Sequence, residues 1–167
     1  MPVTVSVGLL VLRIIGGMTI TAHGAQKLLG WFGGPGVVKL ASSFAGQGLK
    51  PGWFWANLVI LGELGGGLSV AFGLLTPLGA AGMFGAMSMA IAKTHWKNGF
   101  WNSKRGLEFP LQLLAIATGI GIAGPGAYAL DTLFHIALPE APLFGILAAV
   151  ALLTDLLGLA LSRPRAA

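Results

Sequence analysis

Apolar segments recur along the whole chain, separated by shorter polar stretches. Five segments nearly free of charge stand out, at residues 5–29, 54–75, 78–95, 108–123 and 143–161. Each approaches the roughly 20 residues that a helix needs to cross the hydrocarbon of a bilayer, and the fourth is the shortest. The pattern predicts an all-α bundle of transmembrane helices.

Two of the connections carry structural signals of their own. Only Thr76 and Pro77 separate the second segment from the third. These two helices must therefore form a tight antiparallel hairpin, with the proline in the first turn of the later helix. The first connection, residues 30–52, has apolar residues at helical spacing between Pro35 and Gly46, which predicts a short amphipathic helix in the membrane interface.

Composition supports lipid as the solvent of this chain. Hydrophobic residues make up 55% of the sequence and charged residues only 9%, far too few for a water-exposed surface. The net charge of +5 does not indicate nucleic-acid binding, because the basic residues lie between apolar segments, where they set topology. Arg13 interrupts the first segment and no basic stretch precedes it, so we expect a permanent helix and not a cleaved signal peptide.

The positions of the basic residues favour five crossings over four. With five, the first and third loops and the C-terminus share the cytoplasmic face, and the N-terminus lies outside. Four crossings would place Arg163 and Arg165 on the opposite face. The predicted cytoplasmic face carries Lys27, Lys39, Lys50, Lys93, Lys97, Lys104, Arg105, Arg163 and Arg165.

Three charged residues lie well inside apolar segments, away from the segment ends: Arg13, Glu63 and Asp155. A charge at mid-membrane costs roughly 2.5–3.5 kcal/mol on insertion scales, so we expect these groups to face one another and not lipid. Counting along the helices places Arg13 near enough in depth for a buried pair with a carboxylate. Such a pair fits a structural role in helix register as well as a functional one.

A polar stripe forms near the predicted cytoplasmic end of the first helix. His23, Gln26 and Lys27 are three and four residues apart and therefore share one face. Imidazole and carboxylate groups close together in a low dielectric can exchange protons, and several such groups are expected at this depth. The predicted catalytic residues are His23, Glu63, His95 and Glu108. For Lys27 we favour snorkelling towards the lipid headgroups, and for Glu108 helix capping is an equal alternative.

All five tryptophans lie beside the same predicted face. They fit one half of an aromatic belt or the walls of a pocket for a flat ligand. We take the pocket as the hypothesis for a ligand site. The predicted ligand-binding residues are Arg13, Gln26, Lys27, Trp31, Trp53, Trp96 and Trp101.

The chain contains no cysteine. Disulfides, thiolate nucleophiles, zinc–thiolate sites and iron–sulfur clusters are therefore excluded, and we predict no metal site. Any redox chemistry must come from a bound cofactor or substrate.

Short runs spread over the first 131 residues form a specific set. They are Arg13, HGAQKL at 23–28, WFGG at 31–34, GELGGG at 62–67, GLLT at 73–76, His95, GFW at 99–101, EFP at 108–110, GPG at 124–126 and LD at 130–131. The set resembles the DoxX family of small integral membrane proteins. The resemblance implies a four-helix membrane core at residues 1–131. Residues 132–167 depart from the usual pattern, and we expect them to add a fifth helix and a short basic cytoplasmic tail.

The resemblance also implies a link to quinone-dependent oxidoreductases, such as thiosulfate:quinone oxidoreductase, and to redox stress. The leading hypothesis is a subunit of a quinone-linked redox system in a bacterial inner membrane. It would bind a quinone non-covalently, lie in the lipid bilayer and meet a soluble redox partner protein, and a homo-oligomer is a further candidate. The alternative is a non-catalytic scaffold, carrier or cargo receptor without a cofactor, so enzymatic activity stays open. Haem ligation by His23 and His95 is a third hypothesis.

Overall fold

A computed structural model describes residues 1–162, and that part of the chain contains helices and turns without strands. Five long helical segments form a bundle, which confirms the predicted all-α architecture with an added C-terminal helix. The helices are α1 (Val3–Leu29), α2 (Gly36–Gly46), α3 (Gly52–Ile60), α4 (Gly66–Phe72), α5 (Thr76–Ala90), α6 (Glu108–Ala123), α7 (Leu130–Leu133) and α8 (Glu140–Leu161). Single π-helical turns, Leu61–Gly65 and Ile91–His95, join α3 to α4 and extend α5.

Three of these segments are long and apolar enough to cross a membrane: Val3–Leu29, Gly52–Phe72 and Glu140–Leu161. Helix α6 is apolar but has only 16 residues. Lys93 Nζ, beyond the end of α5, donates to Ser162 Oγ at 2.9 Å, so the third loop and the end of α8 lie at the same end of the bundle, as predicted. Which side of the membrane this end faces stays a prediction, and Arg163 and Arg165 lie outside the described residues.

Glycines allow α1 and α4 to pack with their backbones in near contact. A Cβ atom added to Gly17 would lie 2.6 Å from Ala71 N, and one added to Gly24 would lie 2.5 Å from Leu64 N. The two helices are therefore antiparallel, and residues pair when their numbers sum to about 88. In lipid there is no hydrophobic driving force that brings apolar helices together. Small residues at the contact let the helices approach closely, and this close packing holds them together.

The hairpin between α4 and α5 has the predicted tight form. Gly73 and Leu75 adopt left-handed backbone conformations, with φ of 64° and 51°, and Pro77 lies in the first turn of α5. The Asp131 carboxylate closes this turn from 55 residues away, accepting hydrogen bonds from Leu75 N at 2.7 Å and from Thr76 N at 3.0 Å. Asp131 thus supplies the cap that the start of α5 lacks in its own sequence.

Helix α8 packs against α5 and α6 and presents most of its surface outward. The Phe144 ring lies over Gly121, where any side chain would collide with it, and meets Phe84 edge to face at a centroid distance of 6.0 Å. At the other end of the bundle, Leu40 and Phe44 of α2 are buried against α3, which confirms the predicted amphipathic helix in the first connection.

Candidate functional site

Arg13 does not pair with Glu63 or Asp155, so the expected buried ion pair is wrong. Its guanidinium donates instead to main-chain carbonyls: Nε to Val70 at 3.1 Å, Nη2 to Tyr128 at 2.9 Å and Nη1 to Pro125. The antiparallel register explains the error, because it places Arg13 opposite the end of α4, whereas Glu63 meets the other end of α1. Arg13 thus ties α1 to the ends of α4 and α6, away from the other predicted ligand residues.

The partner of Glu63 is Lys27. Lys27 Nζ lies 2.5 Å from Glu63 Oε2, and the two side chains are 24% and 2% exposed. The contact follows from the close approach of Gly24 to Leu64, which brings the last turn of α1 onto the π-helical turn that carries Glu63. Snorkelling of Lys27 to the headgroups is therefore wrong, because the ammonium turns inward to a buried carboxylate.

His23 lies on the same face of α1 as Lys27, one turn earlier. Its ring is half-buried and meets the Phe109 ring of α6 at a centroid distance of 5.2 Å and an angle of 52°. The Gln26 amide donates to the carbonyl of Phe32 at 3.4 Å, which ties the stripe to the turn that follows α1. The predicted polar stripe thus forms, with an aromatic ring on one side and the Lys27–Glu63 pair on the other.

The other two predicted catalytic residues make their hydrogen bonds inside the third loop. His95 Nδ1 lies 2.8 Å from the carbonyl oxygen of Arg105; His95 is half-buried and Arg105 is exposed. Glu108 Oε2 accepts from Asn102 N at 2.9 Å, which closes the loop at the start of α6. The structure therefore unites Lys27 and Glu63, with His23 close by, and gives His95 and Glu108 contacts suited to shaping the loop. Glu108 lies in the first turn of α6, where a carboxylate complements the helix dipole, but it does not cap the N–H groups of that helix.

Four of the five tryptophans point outward at the predicted cytoplasmic end. Trp31, Trp53, Trp96 and Trp101 are 58%, 63%, 70% and 62% exposed, as expected of an aromatic belt at the membrane interface. This exposure favours the belt over the pocket, and a role for these four rings in ligand binding stays a prediction. Trp55 alone is buried, with its ring against Gly158 of α8.

Sequence reasoning missed a groove between α3, α4, α5 and α8. It has a volume of about 740 Å³ and is lined almost entirely by apolar and glycine residues. Asp155 and Trp55 lie in its wall, and Leu61, Phe72 and Val150 along it are exposed, so it opens towards the membrane. The abundance of glycine in α4 and α5 was a signal for it, but glycine at small-xxx-small spacing indicates close packing equally well.

Comparison with known proteins agrees with this architecture. The sequence profile of the DoxX family matches residues 8–96. The inner membrane protein YqjF of Escherichia coli strain K12 is 33% identical over 132 residues, which cover 77% of this chain and 93% of that protein. No solved structure matches. The family match, this relative and the apolar helices together make the chain an integral inner-membrane protein, and it belongs to the DoxX family.

Proposed function

We propose that this protein binds a small planar ligand of the quinone type at the polar stripe of α1, as a membrane subunit of a quinone-linked redox system. The observation that carries the proposal is the Lys27–Glu63 pair beside His23. The buried Glu63 carboxylate contacts Lys27, and the His23 imidazole lies one turn before Lys27 on α1. This combination suits a site where a ligand gains or loses protons.

The residues present fit the chemistry of a quinone ring. Such a ring has flat apolar faces and two carbonyl oxygens that accept hydrogen bonds. Lys27 has three N–H donors, of which Glu63 takes one, and the side chain as a whole is 24% exposed, so N–H donors remain for a ligand. Phe109, already in contact with His23, supplies an aromatic surface for the ring. A quinone bound here would supply the electron-accepting group that the chain itself lacks.

Each residue of the proposed site then has a distinct task. Glu63 holds the Lys27 ammonium in position through their direct contact. Lys27 orients a carbonyl oxygen of the ligand. His23 gives or takes a proton at a ring nitrogen, and Phe109 limits the access of water from the side of α6.

The third loop offers a place for a soluble redox partner. Lys97, Lys104 and Arg105 lie in or beside the short turns Trp96–Asn98 and Asn102–Lys104, close to His95. A partner with an acidic surface would be attracted to these positive charges, and the attraction would weaken as salt screens it.

Isothermal titration calorimetry of the detergent-purified protein with ubiquinone-1 tests the proposal. We expect saturable binding by the wild type and a loss of about tenfold or more in affinity for His23→Ala and Glu63→Gln. His135→Asn is the matched control, because His135 is exposed at the opposite end of the bundle and has a left-handed conformation that asparagine tolerates.

Two results would reject the proposal. Equal affinity of the wild type, His23→Ala and Glu63→Gln would mean that the ligand binds elsewhere. Absence of binding by the wild type would favour the non-catalytic scaffold, carrier or cargo receptor. An absorption spectrum of the same preparation distinguishes the haem hypothesis from the other two, because bound haem would give a Soret band.

A further inference from the structure

The groove beside α8 is separate from the polar stripe of α1. Its lining includes Gly62 of the π-helical turn, whereas the neighbouring Glu63 reaches α1 instead. Lining residues from Trp55 to Phe72 span about 25 Å along the α3–α4 segment, at 1.5 Å per residue, so the groove follows the bundle across much of the membrane thickness. Its dimensions suit an elongated apolar molecule.

Asp155 stands out among the polar side chains of this lining. The hydroxyl of Ser69 donates to the carbonyl of Leu74 at 2.6 Å, and that of Thr154 donates to the carbonyl of Val150 at 2.9 Å, so both are satisfied within their own helices or turns. Asp155 is 7% exposed, and its buried Oδ2 has no hydrogen-bond partner among the described residues.

No lysine or arginine side chain among residues 1–162 forms a salt bridge with Asp155. Lys93, on the segment that continues α5 beside α8, donates to Ser162 instead. An unpaired carboxylate facing hydrocarbon is costly, so a positive group that could enter the groove would be strongly attracted to it.

An aromatic ring next to the carboxylate points to an organic cation. Trp55 packs its six-membered ring onto Gly158, three residues after Asp155 and therefore on the same face of α8. The face of a tryptophan attracts organic cations more strongly than any other aromatic side chain. Carboxylate, indole and apolar walls together match a molecule with one positive charge and a long or bulky apolar part.

We propose that the groove between α3, α4, α5 and α8 binds lipophilic cations, with Asp155 as the counter-charge and Trp55 beside it. Access is from the membrane, between the exposed side chains of α4 and α8. The ligand class is an amine-bearing or quaternary amphiphile, whether a lipid component or a foreign compound. This site is independent of the quinone proposal, because the two use different residues on different sides of α4.

Equilibrium binding of radiolabelled tetraphenylphosphonium to the full chain in dodecyl maltoside tests the proposal. We expect saturable binding that dodecylamine displaces and dodecan-1-ol does not. Asp155→Asn keeps the shape of the side chain and removes its charge, and it should weaken binding by at least about tenfold. Glu140→Gln is the matched control, since Glu140 is the other acid of α8 with an unpartnered oxygen but does not line the groove.

A second variant tests the place of binding without touching the charge. A Cβ atom at Gly82 would lie 3.4 Å from Gly62 Cα, an ordinary contact, so Gly82→Leu can extend its side chain into the groove. It should abolish binding while size-exclusion and circular dichroism profiles stay those of the wild type.

Three outcomes would overturn the inference. They are wild-type affinity in Asp155→Asn, equal displacement by dodecan-1-ol, which would show a groove for neutral lipid, and an equal loss of affinity in Glu140→Gln. The isosteric Asp155→Asn variant decides the question even if Gly82→Leu does not fold.

Discussion

Removal of one charge from the Lys27–Glu63 pair should destabilise the protein much more than removal of both. Lys27→Met leaves Glu63, 2% exposed, as an unpaired acid inside the bundle. Breaking a buried pair from one side costs about 3–5 kcal/mol. Since the Lys27 side chain is 24% exposed, water screens part of the interaction, and we expect a loss of about 2–3 kcal/mol.

The double variant Lys27→Met with Glu63→Gln removes the orphaned charge along with its partner. Its stability should return to within about 1 kcal/mol of the wild type, because well-packed neutral residues often replace a buried pair at little cost. The two single losses therefore do not add, and the coupling energy should be about 2 kcal/mol or more.

Unfolding by sodium dodecyl sulfate in mixed micelles, followed by helical circular dichroism, measures these differences. Lys39→Met is the control for loss of a lysine, because Lys39 is exposed on α2 and should change stability by less than about 0.5 kcal/mol. Single losses that simply add in the double variant would refute the reasoning, as would a Lys27→Met protein as stable as the control.

Three further substitutions address the packing of the bundle. Gly24→Val should lower the unfolding midpoint and disrupt the Lys27 contact, because its Cβ would meet the backbone of the π-helical turn at Leu64 N, 2.5 Å away; a midpoint equal to that of the wild type would contradict the register. Asp131→Ala should cost about 1–2 kcal/mol in the same unfolding assay, since it uncaps α5, whereas full stability would show that the cap is dispensable. Phe144→Ala should cost about 3–5 kcal/mol by opening a cavity over Gly121, and a loss below about 1 kcal/mol would mean that α8 adds little to the core.

Helix positions were largely predictable from the sequence because they depend on local properties. The lengths of the apolar runs and Pro77 at a helix start both act within a few residues. The predicted segments consequently agree with the observed helices to within a few residues, and the fourth segment agrees with α6 at both ends. The added C-terminal helix was also predictable, since its segment is long and apolar enough by itself to indicate a helix.

The pairing of buried charges was not predictable in the same way. Arg13, Glu63 and Asp155 are the charges that a depth count singles out, and all three are indeed buried. Their partners depend on how far α1 slides against α4, and Gly17 and Gly24 set this register through backbone contacts that no side-chain pattern reports. About four turns of α1 separate Arg13, the expected partner of Glu63, from Lys27, the observed partner.

By itself, the sequence determined that this protein lies in lipid, that its helices begin and end within a few residues of their observed bounds, and that the charges well inside its apolar segments are buried. The reason is that hydrocarbon tolerates neither unpaired backbone groups nor unpaired charges. Only the tertiary structure decided that Glu63 meets Lys27, that Arg13 binds main-chain carbonyls and that Asp155 faces a groove without a partner. The physical reason is that lipid penalises an exposed charge wherever it lies, whereas the choice of partner follows from ångström-scale contacts between glycines far apart in the chain.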